Sequence, residues 1–132
     1  MDVRPGVSRG ETEILKALWK LDKGSVGEIH SWISENEKEM DYSTVQTYVR
    51  RLEAKGYLTA QRIGRNKIYR AAVRRAQVVG EALDEFLDRL FDGQLLPMVR
   101  QLVDSRDVSP QEIQDLMSLV KQLQREQQDD VQ

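Results

Sequence analysis

The chain has 132 residues, with 20 Lys+Arg against 22 Asp+Glu, no Cys and a single histidine, His30. That length suits one domain, or one small head followed by an oligomerising segment, and the missing thiols exclude a disulfide framework, thiolate metal sites and Cys nucleophiles. The net charge of −2 hides a division: residues 1–72 carry 13 basic and 10 acidic side chains, residues 73–132 carry 7 and 12, so the total excludes no polyanionic partner for the first half.

The first seven residues lack periodicity and read as a loose terminus. They also lack the apolar stretch of a secretory signal, and no apolar run approaches the ~20 residues of a membrane span, so a cytoplasmic protein without membrane insertion is expected. Ser8-Arg9-Gly10-Glu11 has capping-box spacing and opens a helix whose Ile14, Ala17, Leu18 and Leu21 form one apolar face, ending at Gly24. A second capping box, Ser25-Val26-Gly27-Glu28, opens a helix with Val26, Ile29 and Ile33 inward. Gly24-Ser25-Val26 is equally compatible with a very short strand, and the pattern leaves both open.

Ser43-Thr44-Val45-Gln46 repeats the start signal, giving a third helix to Lys55 with Gly56 as its stop. Val45, Tyr48, Val49 and Leu52 fall on one side; Gln46, Thr47, Arg50 and Arg51 fall mostly on the other. Two short runs, 58–63 and 67–71, around Gly64-Arg65-Asn66 read as a β-hairpin carrying Arg62, Arg65, Lys67 and Arg70. Between 43 and 71 there are seven cations and one acid, Glu53. A solvated face of mixed sign is the usual composition for solubility, and this segment departs from it.

From Arg74 to Asp92 the apolar residues broaden into a stripe. Val79, Leu83, Phe86 and Leu90 keep the 4-3-4 spacing of a coiled-coil seam, with Leu87 and Phe91 beside it. After Asp92-Gly93 a shorter helix covers about 97–103, with Met98, Val99 and Leu102 apolar. Ser109-Pro110-Gln111-Glu112 then combines an N-cap, a first-turn proline and a capping-box glutamate. The helix it opens aligns Ile113, Leu116, Met117, Val120 and Leu123, and the polar tail 124–132 is expected to fray.

The expected fold is therefore mainly α: a winged helix-turn-helix head over residues 1–72 and a helical dimerisation domain over 73–132. In that layout the third helix enters the major groove and the hairpin reaches neighbouring phosphates. The candidate double-stranded DNA contacts are Ser43, Thr44, Gln46, Thr47, Arg50 and Arg51 on the helix, and Arg62, Arg65, Asn66, Lys67 and Arg70 on the wing. Gln46 suits adenine N6 and N7, while also standing where a capping-box residue would; Arg51 has Glu53 and Glu28 as alternative partners. Trp19, Trp32, Tyr48 and Tyr69 read as packing residues, and His30 as a helix-rim residue. Residues 74–126 present apolar faces too broad for one piece of this size to bury, so Val79, Leu83, Phe86, Leu87, Leu90, Phe91, Val99, Leu102, Ile113, Leu116 and Val120 are expected to pair two copies into a homodimer. The alternative is that these helices fold back on their own head.

Over about residues 8–125 the chain resembles the penicillinase-repressor (BlaI/MecI-type) transcriptional regulators. The resemblance is carried by Glu13-Ile14-Leu15-Lys16-Ala17-Leu18-Trp19, Val26-Gly27-Glu28-Ile29-His30 and the run from Tyr42-Ser43-Thr44-Val45-Gln46-Thr47 to Gly56-Tyr57-Leu58. Leu87-Asp88-Arg89-Leu90-Phe91-Asp92-Gly93 and Asp107-Val108-Ser109-Pro110-Gln111-Glu112-Ile113 add to it. It implies a homodimeric repressor on an inverted-repeat operator, controlling resistance or stress genes. In the best-known branch a membrane sensor protease leads to cleavage in the dimerisation domain. The matching bond here is Gln101–Leu102, where the best-known members have Asn-Phe. A copper-responsive branch uses Cys-x-Cys pairs, which a chain without Cys excludes. The sequence shows no acid–base pair, phosphate-cradling glycine loop or metal-ligand spacing, so no cofactor and no metal are expected. Two rival readings make different demands: a winged-helix protein-interaction adaptor without DNA calls for an acidic or apolar outer face on the third helix, and a hydrolase built on His30 needs a nucleophile and an orienting acid.

Overall fold

A computed structural model describes residues 4–37 and 39–131. Six helices and a hairpin follow in order: α1 Arg9–Leu21, α2 Val26–Asn36, α3 Tyr42–Ala54, β1 Leu58–Ile63, β2 Asn66–Ala71, α4 Arg75–Phe91, α5 Leu95–Asp104 and α6 Pro110–Val131. The chain divides into two compact units, residues 1–83 and 84–132.

In the first unit both expected capping boxes form. Glu11 N–H donates to Ser8 Oγ at 3.2 Å while Ser8 N–H donates to the Glu11 carboxylate at 2.8 Å, and Ser25 and Glu28 repeat the exchange at 3.2 and 3.0 Å. Each box satisfies backbone donors that a helix start leaves orphaned. The apolar faces so aligned bury Ile14, Leu15 and Leu18 of α1, Ile29 and Ile33 of α2, and Val45, Val49 and Leu52 of α3 into one core. At about 1.5–3 kcal/mol per fully buried large aliphatic side chain, this cluster is the main stabiliser of the head.

The start of α3 differs from the sequence expectation. Asp41, not Ser43, is the N-cap, and it makes no side-chain cap bond. Starting at Tyr42 adds the backbone bond from Val45 N–H to Asp41 O at 3.0 Å and keeps Val45, Val49 and Leu52 inward. The end is a Schellman turn: Tyr57 N–H reaches Leu52 O at 2.9 Å, Gly56 N–H reaches Glu53 O at 3.1 Å, and Gly56 has φ +90°. Only glycine enters that region without a Cβ penalty.

β1 and β2 pair antiparallel, with Leu58 opposite Ala71 and Ile63 opposite Asn66, so the loop is the two residues Gly64-Arg65 rather than three. Gly64 at φ +64° supplies the positive first position of a two-residue hairpin turn. The open question at Gly24 is resolved in favour of pairing: Gly24 and Tyr69 exchange backbone bonds at 2.9 and 2.8 Å, docking the wing's inner edge on the α1–α2 connection. Trp19 donates its indole N–H to Val73 O at 2.9 Å, and Val73 and Val78 are buried with the head core, which carries this unit into the first turns of α4.

The second unit is helical throughout. The third capping box forms at Ser109 and Glu112, with bonds of 3.1 and 3.2 Å. α5 begins two residues before Pro97, since a helix start already leaves its first N–H groups without partners and a proline there removes nothing. α6 continues to Val131 instead of ending near Leu123; Gln, Glu and Arg are good helix formers, and Gln122 donates to Glu126 at 3.3 Å. No side chain of residues 84–130 is buried among the described residues.

Candidate nucleic-acid interface

α3 and the hairpin bring the sequence-predicted contact residues together on the first unit. On α3, Ser43, Gln46, Thr47, Arg50 and Arg51 are exposed, and Thr44 is half-buried. With Asp41 as N-cap, Gln46 is the fifth helical residue and no longer a capping-box partner. Its amide makes no hydrogen bond among the described residues, leaving both donor and acceptor for a base edge.

Arg51 turns to neither of the acids expected for it. Its guanidinium lies over the Tyr48 ring, 5.8 Å from the centroid. The Tyr48 ring in turn lies against Gly10, where an added Cβ would come within 2.5 Å of Tyr48 Cζ, so glycine at position 10 is what permits the approach. Ser43, Thr44, Thr47, Tyr48 and Arg51 line a shallow notch of about 210 Å³ on this flank. Hydroxyls around a guanidinium suit a phosphate oxygen.

On the hairpin, Arg62, Arg65, Asn66, Lys67 and Arg70 are all exposed. They are not equally free. Lys67 donates to the Glu53 carboxylate at 3.2 Å and stands over the Tyr69 ring at 5.4 Å. The hydrogen bond to Glu53 holds the Lys67 ammonium above its ordinary pKa. Arg70 approaches Asp22 at 3.6 Å, both groups being largely in water. Arg62 and Arg65 carry no ion pair among the described residues.

Behind the interface, Glu11 is buried and accepts a bond from Lys55 Nζ at 2.7 Å. Burial works against the Glu11 charge, but the Lys55 bond, the two Ser8 bonds and the Lys55 charge outweigh it and hold the carboxyl below its ordinary value. Lys55 also reaches Gly6 O at 3.0 Å, and Tyr57 donates to Pro5 O at 2.6 Å, so the chain before α1 is fastened against the end of α3.

Sequence reasoning overlooked two residues here. Tyr42 precedes the helix start that the Ser43–Gln46 spacing predicts; it is the first residue of α3, half exposed, and its ring makes a T-shaped contact with His30 at 5.7 Å. Glu53 was read as a lone acid among cations, and its tie to the wing depends on a contact fourteen residues apart. His30 is half-buried at the rim of α2, as expected. Among the described residues no group of three His, Cys, Asp or Glu side chains could hold a metal ion, and no helix is long and apolar enough to cross a membrane.

Comparison with known proteins agrees with this arrangement. The penicillinase repressor family matches residues 7–122. The penicillinase repressor of Bacillus licheniformis is 28% identical over 120 residues, which span 89% of this chain and 91% of that protein. The methicillin resistance regulatory protein MecI of Staphylococcus aureus (strain N315) is 23% identical over 116 residues, 86% of this chain and 92% of that one. Among solved structures, that of the DNA binding domain of the repressor BlaI aligns with a TM-score of 0.50 and 28% identity, covering 58% of this chain and 92% of that chain.

Proposed function

The chain belongs to the penicillinase repressor family, and from that premise we propose that it is a DNA-binding transcriptional repressor acting as a homodimer on an inverted-repeat operator. The observation that carries this reading is the exposed cationic surface that α3 and the wing supply: Arg50 and Arg51 on the helix, Arg62 and Arg65 on the hairpin, with the Gln46 amide on α3 open to a base edge. Cations supply affinity through counterion release, and the amide supplies sequence choice. An adaptor that avoids DNA would have no use for such a surface, and the role is binding rather than catalysis.

The homodimer rests on the second unit. Phe86, Leu90, Leu102, Ile113, Leu116 and Val120 remain 40% exposed or more, and among described residues this unit has no buried side chain of its own. Contiguous apolar helix faces without a core need another surface, and a second copy offers the same stripe by symmetry. Val79 and Leu83 extend the stripe along α4, while Leu87, Phe91 and Val99 are half-buried beside it. Pairing two heads also compensates for the small area, about 600–1,000 Å², that one such module covers on DNA. We propose a DNA-binding domain over 1–72, a dimerisation domain over 73–132 and a cytoplasmic setting.

By analogy with the relatives' names, the regulated genes belong to the class conferring resistance to β-lactams. Release by a membrane sensor protease would act at Gln101–Leu102, exposed within α5. A helical bond must unwind before a protease can bind it extended, so cleavage there requires local opening of α5.

Selection of bound duplexes from a random pool tests the reading. The expected product is an inverted repeat with half-sites about one helical turn apart. Recovery of no consensus, or of a lone half-site bound as tightly as the repeat, would contradict it.

A further inference from the structure

Two exposed large apolar side chains of the described head lie on the elements that carry the cations, Tyr42 on α3 and Ile63 on the wing. A single exposed aromatic calls for no explanation by itself. The position of Tyr42 gives it one. It is the first residue of α3, and positions four apart on a helix lie on one face, so Tyr42, Gln46 and Arg50 form a single outward stripe with Tyr42 at its leading end. A recognition helix inserts its N-terminal residues against base edges, which sets the leading end of the stripe deepest in the groove. The ring is also not left to rotate freely: His30, from α2, meets it edge to face at 5.7 Å with the planes at 73°. That geometry is a favoured aromatic arrangement, and it restrains the orientation of the half-exposed phenol ring.

Building on the DNA-binding reading above, we propose that Tyr42 is a specificity-determining residue that packs its ring against the 5-methyl group of a thymine in each half-site, with His30 as its positioning residue. The chemistry of the stripe favours this partner. Gln46 already supplies a hydrogen-bond donor and acceptor for a polar base edge, whereas the major groove offers one apolar feature, the thymine methyl. A half-exposed ring restrained by a neighbour offers a flat apolar surface of the kind that methyl can use. The contact lies on the outward stripe, away from the Ser43–Thr44–Thr47–Arg51 notch on the flank, so it reads a base while the notch meets backbone.

The test uses the full chain and its selected operator, with each thymine of the half-sites replaced in turn, at symmetric positions, by deoxyuridine, which lacks only the methyl. Wild type is expected to lose about 10- to 25-fold affinity at one symmetric pair of thymines, a factor of about three to five for each of the two methyl groups buried by the dimer. Tyr42→Ala should be indifferent to that replacement while responding like wild type at the other thymines, and Tyr42→Phe should behave as wild type throughout. His30→Ala should blunt the response at the same thymine, and His30→Phe, which can keep the edge-to-face contact, should restore it.

Tyr42→Ala weakening every duplex equally, scrambled DNA included, would overturn the proposal, as would a Tyr42→Ala profile identical to wild type or a Tyr42→Phe profile matching Tyr42→Ala. An unaltered thymine response in His30→Ala would overturn the positioning role. If wild type itself fails to prefer the selected operator to scrambled duplex, it is the DNA-binding reading that falls. The Tyr42 and His30 variants are compared at matched thermal stability, and Tyr42, half in solvent at a helix start, leaves the core untouched.

Discussion

The Lys67 ammonium meets the Glu53 carboxylate at 3.2 Å, tying the second strand of the wing to the last turn of α3. One acid among seven cations thereby ties α3 and the wing together and masks one of the charges. Glu53→Gln should release Lys67 and remove a carboxylate from beside the phosphates. DNA affinity is expected to rise a few-fold on every duplex alike, and the log–log salt slope to steepen by about 0.9 for each head bound, one additional phosphate contact per head. Fluorescence anisotropy across a salt series reads both; an unchanged slope would show Lys67 already engaged or never used.

Gln46 and the wing arginines should separate affinity from selectivity. Arg62→Ala with Arg65→Ala removes two cations that carry no ion pair among the described residues and should weaken binding to all sequences together, flattening the salt slope by about 1.8 for each head bound. Gln46→Ala should leave the slope unchanged and relax preference at one base pair per half-site, by roughly 1–3 kcal/mol if the amide makes a bidentate contact. Competition binding against a panel of single-base operator variants distinguishes the two patterns.

Much of this fold was legible because its signals are local. The boxes at Ser8–Glu11, Ser25–Glu28 and Ser109–Glu112 are three-residue relationships, and all three form. The same spacing misled at Ser43–Gln46, where tertiary packing of Val45, Val49 and Leu52 is equally satisfied by a helix starting at Tyr42. That shift mattered for the site, since it freed Gln46 and brought Tyr42 into the stripe. Arg51 on Tyr48, Tyr48 on Gly10 and Lys67 on Glu53 join different elements or depend on the direction of a ring, and periodicity carries no such information.

The Glu11–Lys55 pair should make the stability of the head pH-dependent. A lowered native pKa means the folded state binds fewer protons than the unfolded chain, so the contribution is complete above the ordinary glutamate value of 4.5 and is lost as pH falls through the lowered one. Glu11→Gln keeps an acceptor for Ser8 N–H but leaves Lys55 facing a neutral group. Its expected cost near neutral pH is about 1–3 kcal/mol, read from the urea midpoint. The gap from wild type should narrow as pH drops below 4.5; a gap of constant size would show that the charge of Glu11 is not what stabilises.

Charge placed on the apolar stripe should uncouple the two heads. Leu116→Glu with Leu90→Glu is expected to give a monomer by sedimentation equilibrium, with the head still folded because neither residue belongs to its core. Affinity for a single half-site should be retained, while affinity for the full repeat falls by about 100-fold or more as the intramolecular second contact is lost. A double variant that still sediments as a dimer would place the pairing surface elsewhere.

The most direct measurement of the account is the affinity of the intact chain for its selected inverted repeat, for one half-site and for scrambled duplex, each titrated over a range of salt. A dimeric reader predicts that the repeat binds far more tightly than the half-site and the half-site more tightly than scrambled DNA, with all three affinities falling steeply as salt rises. The repeat should have the steepest slope, since it engages two sets of Arg50, Arg51, Arg62 and Arg65. Equal affinity for the repeat and scrambled duplex, or binding that does not respond to salt, would contradict it.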